Sequence, residues 1–369
     1  MTSNSKARME PAKYYVIGLM SGTSLDGLDM AYCEFIHKQD QWHFKLKAAE
    51  TKRYNTQWRK RLAEAHLLPG EALQLLDNEF GVFIGKACND FIKKNRIKTI
   101  HFIASHGHTI FHQPKKRFTF QLGNGCAIHN TTTLPVVNDF RSLDVLKGGE
   151  GAPLVPIGDQ ILFSQFDVCL NIGGIANLSK MEKGKRIAFD ICYANMGLNY
   201  LATKINKEFD RDGRETSKGN INNEVLNQLR KQYARLGSSK PSLGREGFEK
   251  HIQPIIDIES VSVQDRLRTF TESISEEIAA LIPDKSKGLK LLATGGGALN
   301  AFLVDTLEKK LAGKAAVVVP DTLTVNYKEA IVFALLGILR VRNEINVLKS
   351  VTGASSDSCA GVMIGFYKN

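Results

Sequence analysis

The sequence predicts an α/β protein with two lobes, and three observations support this fold class. The chain of 369 residues is long enough to bury two hydrophobic cores, and 43% hydrophobic with 24% charged residues is an ordinary globular composition. Short β-rich apolar runs end in glycine-rich or polar loops and give way to longer amphipathic stretches. Units of one strand and one glycine loop occur at three well-separated places, which predicts a duplicated fold with a central cleft between its lobes.

The first part of the chain is predicted to open with a hairpin. Two apolar runs, 14–20 and 28–36, flank a polar turn at 21–27, which is the pattern of two strands joined by a turn. A long amphipathic stretch predicts helix between 55 and 94. Further apolar runs predict strands at 99–105, 118–122 and 134–140.

The second part repeats the pattern of strand and loop. Strands are predicted within 167–178, 186–190 and 289–294. Helices are predicted from about 195, within 220–282, from 298 and over 327–341. The last helix contains the most apolar stretch, 330–339, which is far shorter than the roughly 20 residues of a membrane-spanning helix, so we expect it to be buried.

Charge and cysteine content argue against several classes of protein. The formal net charge is +11, but the basic residues fall in short separate runs such as 93–98 and 115–117, so we expect solvated surface and no nucleic acid partner. The six cysteines contain no CxxC pair, which favours reduced thiols in the cytoplasm. The first apolar run passes directly into a Ser/Gly/Thr loop without a cleavage site, so we expect neither export nor a membrane partner.

The turn of the first hairpin has the composition of a phosphate-binding loop. Glycines let the backbone approach phosphate closely, the hydroxyl groups of Thr23 and Ser24 can donate hydrogen bonds, and Asp26 can hold Mg²⁺ through water. The candidate residues are Gly22, Thr23, Ser24, Leu25, Asp26, Gly27, Leu28 and Asp29. The segment lacks the GxxxxGK[ST] pattern of a Walker loop, and a plain hairpin turn explains the same residues.

Two further glycine-rich segments follow predicted strands. LNIGGIANL at 170–178 places paired glycines after a strand, which suits phosphate contact. ATGGGALN at 293–300 puts three glycines at a strand-to-helix junction, where adenine or ribose can lie against bare backbone, although tight backbone packing explains them equally well. These segments add the candidates Asn171, Gly173, Gly174, Asn177, Gly295, Gly296, Gly297 and Asn300.

The order and spacing of the three loops resemble the two phosphate motifs and the adenosine motif of the actin, sugar kinase and Hsp70 superfamily. The segments MSGTSLDGLD, SHGHT, VVNDFRSLD with GGEGAPLVP, and LNIGGIANLS are similar to hallmark segments of the anhydro-N-acetylmuramic acid kinases. The resemblance implies a two-lobed actin-like, ribonuclease H-like ATPase fold, ATP and Mg²⁺ as cofactors, and a homodimer. It places the first lobe at 1–138 plus 350–369 and the second at 139–349.

The resemblance also implies a reaction. These kinases phosphorylate O6 of anhydro-N-acetylmuramic acid while water opens the 1,6-anhydro bond, which gives N-acetylmuramic acid 6-phosphate and ADP in cell-wall recycling. A carboxylate must deprotonate that water, and Asp190 matches the family residue in this role. Asn195 matches the last residue of the same motif, but 191–194 reads Ile-Cys-Tyr-Ala where the family commonly has Thr-Gly-Pro-Gly. Capping of the following helix is the alternative role for Asp190.

Substrate contacts are implied for residues outside the glycine loops. Arg141 resembles the arginine that meets the lactyl carboxylate, for which a guanidinium fork is well shaped, although a surface ion pair is the alternative. Asp139 lies in the same segment, and His106 is a candidate hydrogen-bond partner of the sugar. Glu329 matches a family glutamate near the sugar and is a second candidate catalytic residue. The dipole of a helix also favours a glutamate in its first turn.

The histidines of this region are not predicted to bind a metal ion. His101, His106, His108 and His112 lie in a strand-to-loop segment in which no cysteine or carboxylate is grouped with them. His108 stands where the family commonly has glutamine, which bears on the sugar contacts.

Two other functions fit parts of the sequence. A kinase for another anhydrosugar or a simple hexose needs the same loops, but Arg141 argues against a neutral sugar. A non-catalytic actin-like ATP-binding protein needs no general base, and the presence of Asp190, Glu329 and Arg141 together argues against it.

Overall fold

The computed structural model describes residues 12–236, 243–283 and 286–367 and confirms an α/β fold. The described chain divides into two compact units. The first contains the residues up to Leu162 and from Tyr327, and the second runs from Phe163 to Asn326. Residues 1–11 and 368–369, which belong to the predicted first lobe, lie outside the described residues.

The strands of the described residues are β1 (Ala12–Ser21), β2 (Gly27–Lys38), β3 (Gln41–Arg53), β4 (Phe102–Gln113), β5 (Phe118–Leu122), β6 (Val136–Asn138), β7 (Val168–Ile172), β8 (Ile175–Glu182), β9 (Lys185–Tyr193), β10 (Leu289–Thr294), β11 (Ala315–Val318) and β12 (Val362–Ile364). The predicted hairpin is β1 and β2, which are longer than expected at both ends.

The α-helices are α1 (Thr56–Glu64), α2 (Gly70–Lys94), α3 (Gly125–Thr132), α4 (Ser142–Leu146), α5 (Val155–Leu162), α6 (Asn195–Thr203), α7 (Asn223–Leu236), α8 (Arg245–His251), α9 (Gln253–Ile256), α10 (Val263–Ala279), α11 (Ala301–Leu311), α12 (Thr322–Val341) and α13 (Lys349–Thr352). Short 3₁₀ segments connect several of them, including Gly296–Leu299 before α11.

The two units share the same arrangement of five core strands. In the first sheet the strand order is β12-β6-β4-β1-β2-β3, with β5 paired to β4. In the second sheet the order is β11-β10-β7-β8-β9. Both sheets have their first strand in the interior, two consecutive antiparallel strands on one side and two parallel strands on the other. The first sheet adds two antiparallel strands, β5 on β4 and β12 on β6. This ribonuclease H-like order, present twice, confirms the predicted duplication.

The compact units end at other positions than the predicted lobes. Residues 139–162 and 327–349 belong to the first unit, whereas the sequence analysis assigned both to the second lobe. The physical reason is a set of close contacts that composition does not reveal. Gly158 of α5 lies directly against Val332 of α12, and α12 itself packs on the first sheet.

Helix α12 confirms the predicted buried helix but begins at Thr322 rather than at residue 327. By length and composition alone it could cross a membrane, yet 72% of its most apolar window is buried inside the protein. Glycines let it approach the first sheet. An added Cβ at Gly337 would lie 2.8 Å from side-chain atoms of Ala104 and Phe102, and one at Gly18 of β1 would overlap the carbonyl oxygen of Ala330.

We predict that Gly18→Ala destabilises the first unit strongly. The new methyl group would meet the backbone of α12, which cannot rotate away as a side chain can, so the free energy of unfolding should fall by about 3 kcal/mol or more. Urea unfolding followed by circular dichroism measures this change. Gly70→Ala is the matched control, because a Cβ at that first residue of α2 meets nothing within 4 Å. Equal stability of the two variants would contradict the tight packing at Gly18.

Candidate functional site

The first candidate loop connects β1 to β2. Its turn is closed by the Leu25 N–H, which donates to the Gly22 carbonyl oxygen at 3.3 Å. Thr23, Ser24 and Asp26 are exposed at the tip. Their side chains make no hydrogen bond to other described residues. The two hydroxyl groups and the carboxylate therefore remain available to a ligand.

Three of the predicted phosphate-binding residues belong to β2 rather than to the turn. An added Cβ at Gly27 would lie 2.6 Å from the Lys52 carbonyl oxygen, so this glycine is required by sheet packing. Leu28 is fully buried in the first core, which leaves only its backbone for a ligand. The Asp29 carboxylate accepts a hydrogen bond from the Thr51 hydroxyl at 2.5 Å, and burial raises its pKa above the usual value.

Glu329 lies on α12, among charged residues of the first unit. It is the eighth residue of the helix, so the explanation by the dipole of a first turn is wrong. Desolvation raises the pKa of the Glu329 carboxyl, the charge of Arg141 lowers it and that of Asp29 raises it. The hydroxyl of Tyr327, two residues earlier in the helix, lies 3.2 Å from the Thr51 hydroxyl that holds Asp29. The exposed Glu329 side chain makes no hydrogen bond to other described residues.

Arg141 directly precedes α4 and is held by two acceptors. Its Nε donates to His106 Nε2 at 2.9 Å, and one η nitrogen donates to the Gly151 carbonyl oxygen at 2.5 Å. Burial lowers the pKa of the guanidinium to about 10, which leaves it charged at neutral pH. Among the described residues no carboxylate forms an ion pair with Arg141, so the surface ion pair offered as its alternative role is not present.

His106 is the residue that orients Arg141. A guanidinium can only donate, so Nε2 accepts and Nδ1 carries the hydrogen, which it donates to the Gly107 carbonyl oxygen at 2.8 Å. Burial, together with the charge of Arg141, lowers the pKa of His106 well below its usual value and keeps the ring neutral. Both ring nitrogens are therefore engaged within the protein, which disfavours the predicted direct hydrogen bond to a sugar.

A polar cavity of about 240 Å³ opens beside His106 within the first unit. Two oxygen atoms that line it, Ser105 Oγ and Asn138 Oδ1, are buried without a hydrogen-bond partner among the described residues. Asp139 lies at the same place with a left-handed backbone, φ 56°, and its Oδ1 accepts the Ser142 N–H at 3.1 Å. The cavity has room and unsatisfied acceptors for polar groups of a ligand.

The remaining histidines take structural positions. Among the residues the structure describes, no group of three or more His, Cys, Asp or Glu side chains can hold a metal ion. Beneath the first loop, the Tyr54 hydroxyl donates to Ser21 Oγ at 2.7 Å, and Ser21 Oγ lies 2.9 Å from His108 Nδ1. All three side chains are buried. Burial lowers the pKa of His108 to about 4, so the ring is uncharged at neutral pH.

In the second unit, the two other glycine segments meet at the carboxyl ends of β7 and β10. Asn171 pairs with Thr294 of β10 on one side and with Asn177 of β8 on the other. Gly295, with φ 81°, approaches Asn171 so closely that an added Cβ would lie 2.6 Å from its Oδ1. The structure thus brings together the segments that the sequence analysis treated separately.

The glycines of these segments divide into two groups. Gly295 and Gly297 are required by packing, since a Cβ at either would collide with Ile172. A Cβ at Gly173, Gly174 or Gly296 would meet no described atom closer than 3.5 Å. Packing inside the protein therefore explains two of the three glycines at 295–297, and the open ones leave bare backbone for a ligand.

Two asparagines of the second unit have local roles. Asn195 Nδ2 donates to the Ile172 carbonyl oxygen at 3.1 Å, which fixes its amide at the start of α6 and leaves its oxygen free to accept. Asn300 caps α11, because its side-chain oxygen accepts the Leu303 N–H at 3.2 Å.

Asp190 lies in β9 opposite Asn177 of β8. Its Oδ2 accepts the Leu243 N–H at 2.9 Å, and Oδ1 has no hydrogen-bond partner among the described residues. Burial raises the pKa of this carboxyl, and the Leu243 hydrogen bond opposes the shift. Helix α6 is preceded by Ala194 without a side-chain cap, so the alternative of Asp190 as the capping residue is wrong.

The sequence profile of one protein family, anhydro-N-acetylmuramic acid kinase, matches residues 14–366. The chain belongs to this kinase family. The anhydro-N-acetylmuramic acid kinase of Mannheimia succiniciproducens is 33% identical over 376 residues, which cover 95% of this chain and 99% of the relative. That of Shewanella denitrificans is 34% identical over 369 residues, which cover 94% of this chain and 97% of the relative.

Solved structures resemble this member of the kinase family more distantly. Gluconate kinase from Lactobacillus acidophilus has 11% sequence identity and a TM-score of 0.43, with 89% of this chain and 90% of that chain covered. A likeness of this degree carries no argument about function.

Sequence reasoning missed the residues that hold the candidate side chains. Thr51 binds Asp29, Tyr54 binds Ser21, and the Leu243 amide binds Asp190. Thr51 and Tyr54 lie at the end of β3, and this strand has the alternating pattern from which pairing with β2 could have been inferred. No local signal marks Leu243, since its partner lies 53 residues away.

We predict that His108 makes the protein less stable in acid. Its pKa is about 4 in the folded protein and about 6.5 in the unfolded chain, so the unfolded chain binds more protons between these values. The free energy of unfolding should therefore fall by about 3 kcal/mol as the pH drops from 7 to 4.

His108→Gln provides the control for this effect, because glutamine does not titrate. Urea unfolding of both proteins is measured at several pH values. As the pH falls from 7 to 4, the free energy of unfolding should decrease by about 3 kcal/mol more for the wild type than for the variant. Parallel pH profiles would show that His108 does not contribute.

Proposed function

We propose that this chain is an ATP-dependent kinase that opens the 1,6-anhydro ring of anhydro-N-acetylmuramic acid with water and phosphorylates O6. The products are N-acetylmuramic acid 6-phosphate and ADP. Membership of the family supports the reaction, and relatives that are more than 30% identical over nearly the whole chain carry the name of this kinase. The assignment of the substrate class depends most on the orientation and charge of the Arg141 guanidinium.

Arg141 fits an anionic substrate group better than a neutral sugar. His106 and Gly151 hold its Nε and one η nitrogen, so the fork has a defined orientation. The second η nitrogen has no partner among the described residues, and no carboxylate of those residues neutralises the charge at ion-pair distance. A carboxylate such as the lactyl group supplies both the acceptor and the charge.

Asp190 is the proposed general base. Leu243 holds Oδ2, which leaves Oδ1 to accept a proton from water. The water oxygen then forms a bond to the anomeric carbon, and the bond from that carbon to O6 breaks. The departing O6 takes the γ-phosphoryl group, and ADP leaves with the electrons of the broken phosphoanhydride bond.

The other candidate substrate residues are assigned to the sugar. The pKa of the Glu329 carboxyl is raised by desolvation, and we assign this carboxyl to a sugar hydroxyl close to the reacting atoms. Asp139 and Asn195 each keep one oxygen that is not used inside the protein. His106 contributes through Arg141 rather than by touching the sugar.

The glycine loops are the proposed nucleotide contacts. Gly22, Gly173, Gly174 and Gly296 are not required as glycines by close packing, so bare backbone remains at each for phosphate or nucleoside. Thr23 and Ser24 offer hydroxyl donors beside Gly22. Asn300 serves chiefly as a helix cap in this assignment.

Mg²⁺ fits as an ion carried by the nucleotide. It usually keeps several waters and binds through one or two carboxylates plus phosphate oxygens, so a preformed cluster of protein ligands is not needed. The exposed Asp26 carboxylate has no hydrogen bond to other described residues and would hold the ion through water. Bound Mg²⁺ would neutralise phosphate charge.

We also propose a cytoplasmic location, where ATP is available, and a homodimer.

We predict that the protein releases ADP with anhydro-N-acetylmuramic acid and much less with levoglucosan or glucose. A coupled assay with ATP and Mg²⁺ compares these sugars with the anhydro form of N-acetylglucosamine, which lacks the lactyl group. In ¹⁸O-water the label should appear at the anomeric hydroxyl of product quenched before exchange. Equal ADP release without sugar, or label only in phosphate, would favour a simple ATP-binding or ATP-hydrolysing protein.

We predict that Arg141→Lys weakens sugar binding by about 1 to 3 kcal/mol, because lysine keeps the charge but loses the planar fork. Isothermal titration with the sugar measures this change, and ATP affinity should stay as in wild type. The exposed Arg59→Lys is the matched control for loss of a guanidinium. Unchanged sugar affinity in folded Arg141→Lys would remove Arg141 from the substrate site.

A further inference from the structure

Tyr193, the last residue of β9, lies three positions after Asp190 and is almost completely buried. Its hydroxyl donates to the Gly244 carbonyl oxygen at 3.0 Å. Its ring packs on Phe248 of α8, with ring centroids 5.5 Å apart. An added Cβ at Gly247 would lie 2.5 Å from the hydroxyl oxygen. The segment from Gly244 to Phe248 is therefore folded closely around this one side chain.

The same segment supplies the hydrogen bond to Asp190. The Leu243 N–H donates to Asp190 Oδ2 at 2.9 Å, and Leu243 directly precedes Gly244. Two residues, Leu243 and Gly244, lie between the peptide group that binds the carboxylate and the carbonyl group that Tyr193 holds, so four soft torsions separate them. Fixing the Gly244 carbonyl therefore restricts where the Leu243 amide can lie.

We propose that Tyr193 is a positioning residue for the general base, which it orients by fixing the Leu243 amide on Asp190 Oδ2. This inference rests on the proposed role of Asp190. With Oδ2 held, Oδ1 is the oxygen left to receive the proton from water. The amide also stabilises the ionised carboxylate, so it tunes the basicity of Asp190.

Several titratable groups lie near Tyr193 among the described residues. Tyr193 and, on α7, Tyr233 have phenol pKa values raised by burial, so both stay neutral at physiological pH. Burial likewise raises the pKa of the Cys192 thiol. Glu277 of α10, whose charge acts on Cys192 and Tyr233, has a pKa raised by burial to about 7. The pH profile of Glu277→Gln, which removes this second titrating carboxyl, is the control for its contribution.

Tyr193→Phe tests the proposal, since it keeps the packed ring and removes only the hydroxyl. The expected result is a kcat lower by about 5- to 100-fold, the range for a misplaced catalytic group, with sugar KM and ATP affinity unchanged. The acidic limb of the kcat profile should move to higher pH, because the loosened amide no longer favours the carboxylate. A ¹³C-carboxyl NMR titration should show the same rise in the pKa of Asp190 without turnover.

Tyr200→Phe is the matched control. Its hydroxyl bonds to Asp257 and its ring also contacts Phe248, but it does not touch Leu243 or Gly244. This variant should keep the wild-type pH profile. If Tyr193→Phe also keeps that profile and loses only stability, the tyrosine is structural and the proposal is overturned.

Two further variants keep the test decisive. Gly247→Ala is the second test if Tyr193→Phe does not fold, because it retains the tyrosine but crowds its hydroxyl. Its kcat profile should move to higher pH as well. An unshifted profile would overturn the proposal. Asp190→Asn tests the underlying function separately. If this variant turns over like wild type, Asp190 is not the base, and the proposed mechanism fails whatever Tyr193 does.

Discussion

The first unit depends on the close approach of α12 to β1. At Gly18 the strand lies so near the carbonyl group of Ala330 that no side chain fits between them. Glu329 directly precedes Ala330, so the contact that packs the core also sets the position of a candidate functional carboxylate. The hydroxyl groups of Tyr327 and Thr51 extend this connection to Asp29 of β2. A helix is rigid along its length, so a shift at Gly18 would displace all of these groups together.

Two buried neutral histidines organise the other polar groups of this unit. His106 and His108 flank Gly107, whose φ of 75° turns the strand between them. The His106 ring accepts from Arg141, and the His108 ring is hydrogen-bonded to Ser21, next to the glycine loop. A protonated His106 could not accept from the guanidinium and would also repel it. Burial thus has a chemical effect here, because it keeps His106 in the form that can accept.

The sequence was most informative where local chemistry determines structure. Strands that end in glycine loops were located correctly, since glycine and polar residues mark such turns independently of tertiary contacts. The start of α12 was misplaced because the prediction followed the apolar run and overlooked Asp321, a preferred N-cap residue whose carboxylate accepts the Thr324 N–H at 3.0 Å. The partners of Arg141 and Asp190 lie 35 and 53 residues away, so only the folded chain reveals them. The limits of the compact units differ from the predicted lobes for the same reason, because they depend on which sheet a helix covers.

The first unit is discontinuous along the chain, whereas the second is one continuous segment. The first sheet receives its last strand, β12, on the edge of β6, and its covering helix α12 also comes late in the sequence. During synthesis the apolar faces of β1 and β4 therefore leave the ribosome long before the helix that covers them. Residues 163–326 are complete by then, and domains fold as units as they emerge. The inserted unit is thus the one that can fold first, and the first unit completes its core only after α12 has emerged.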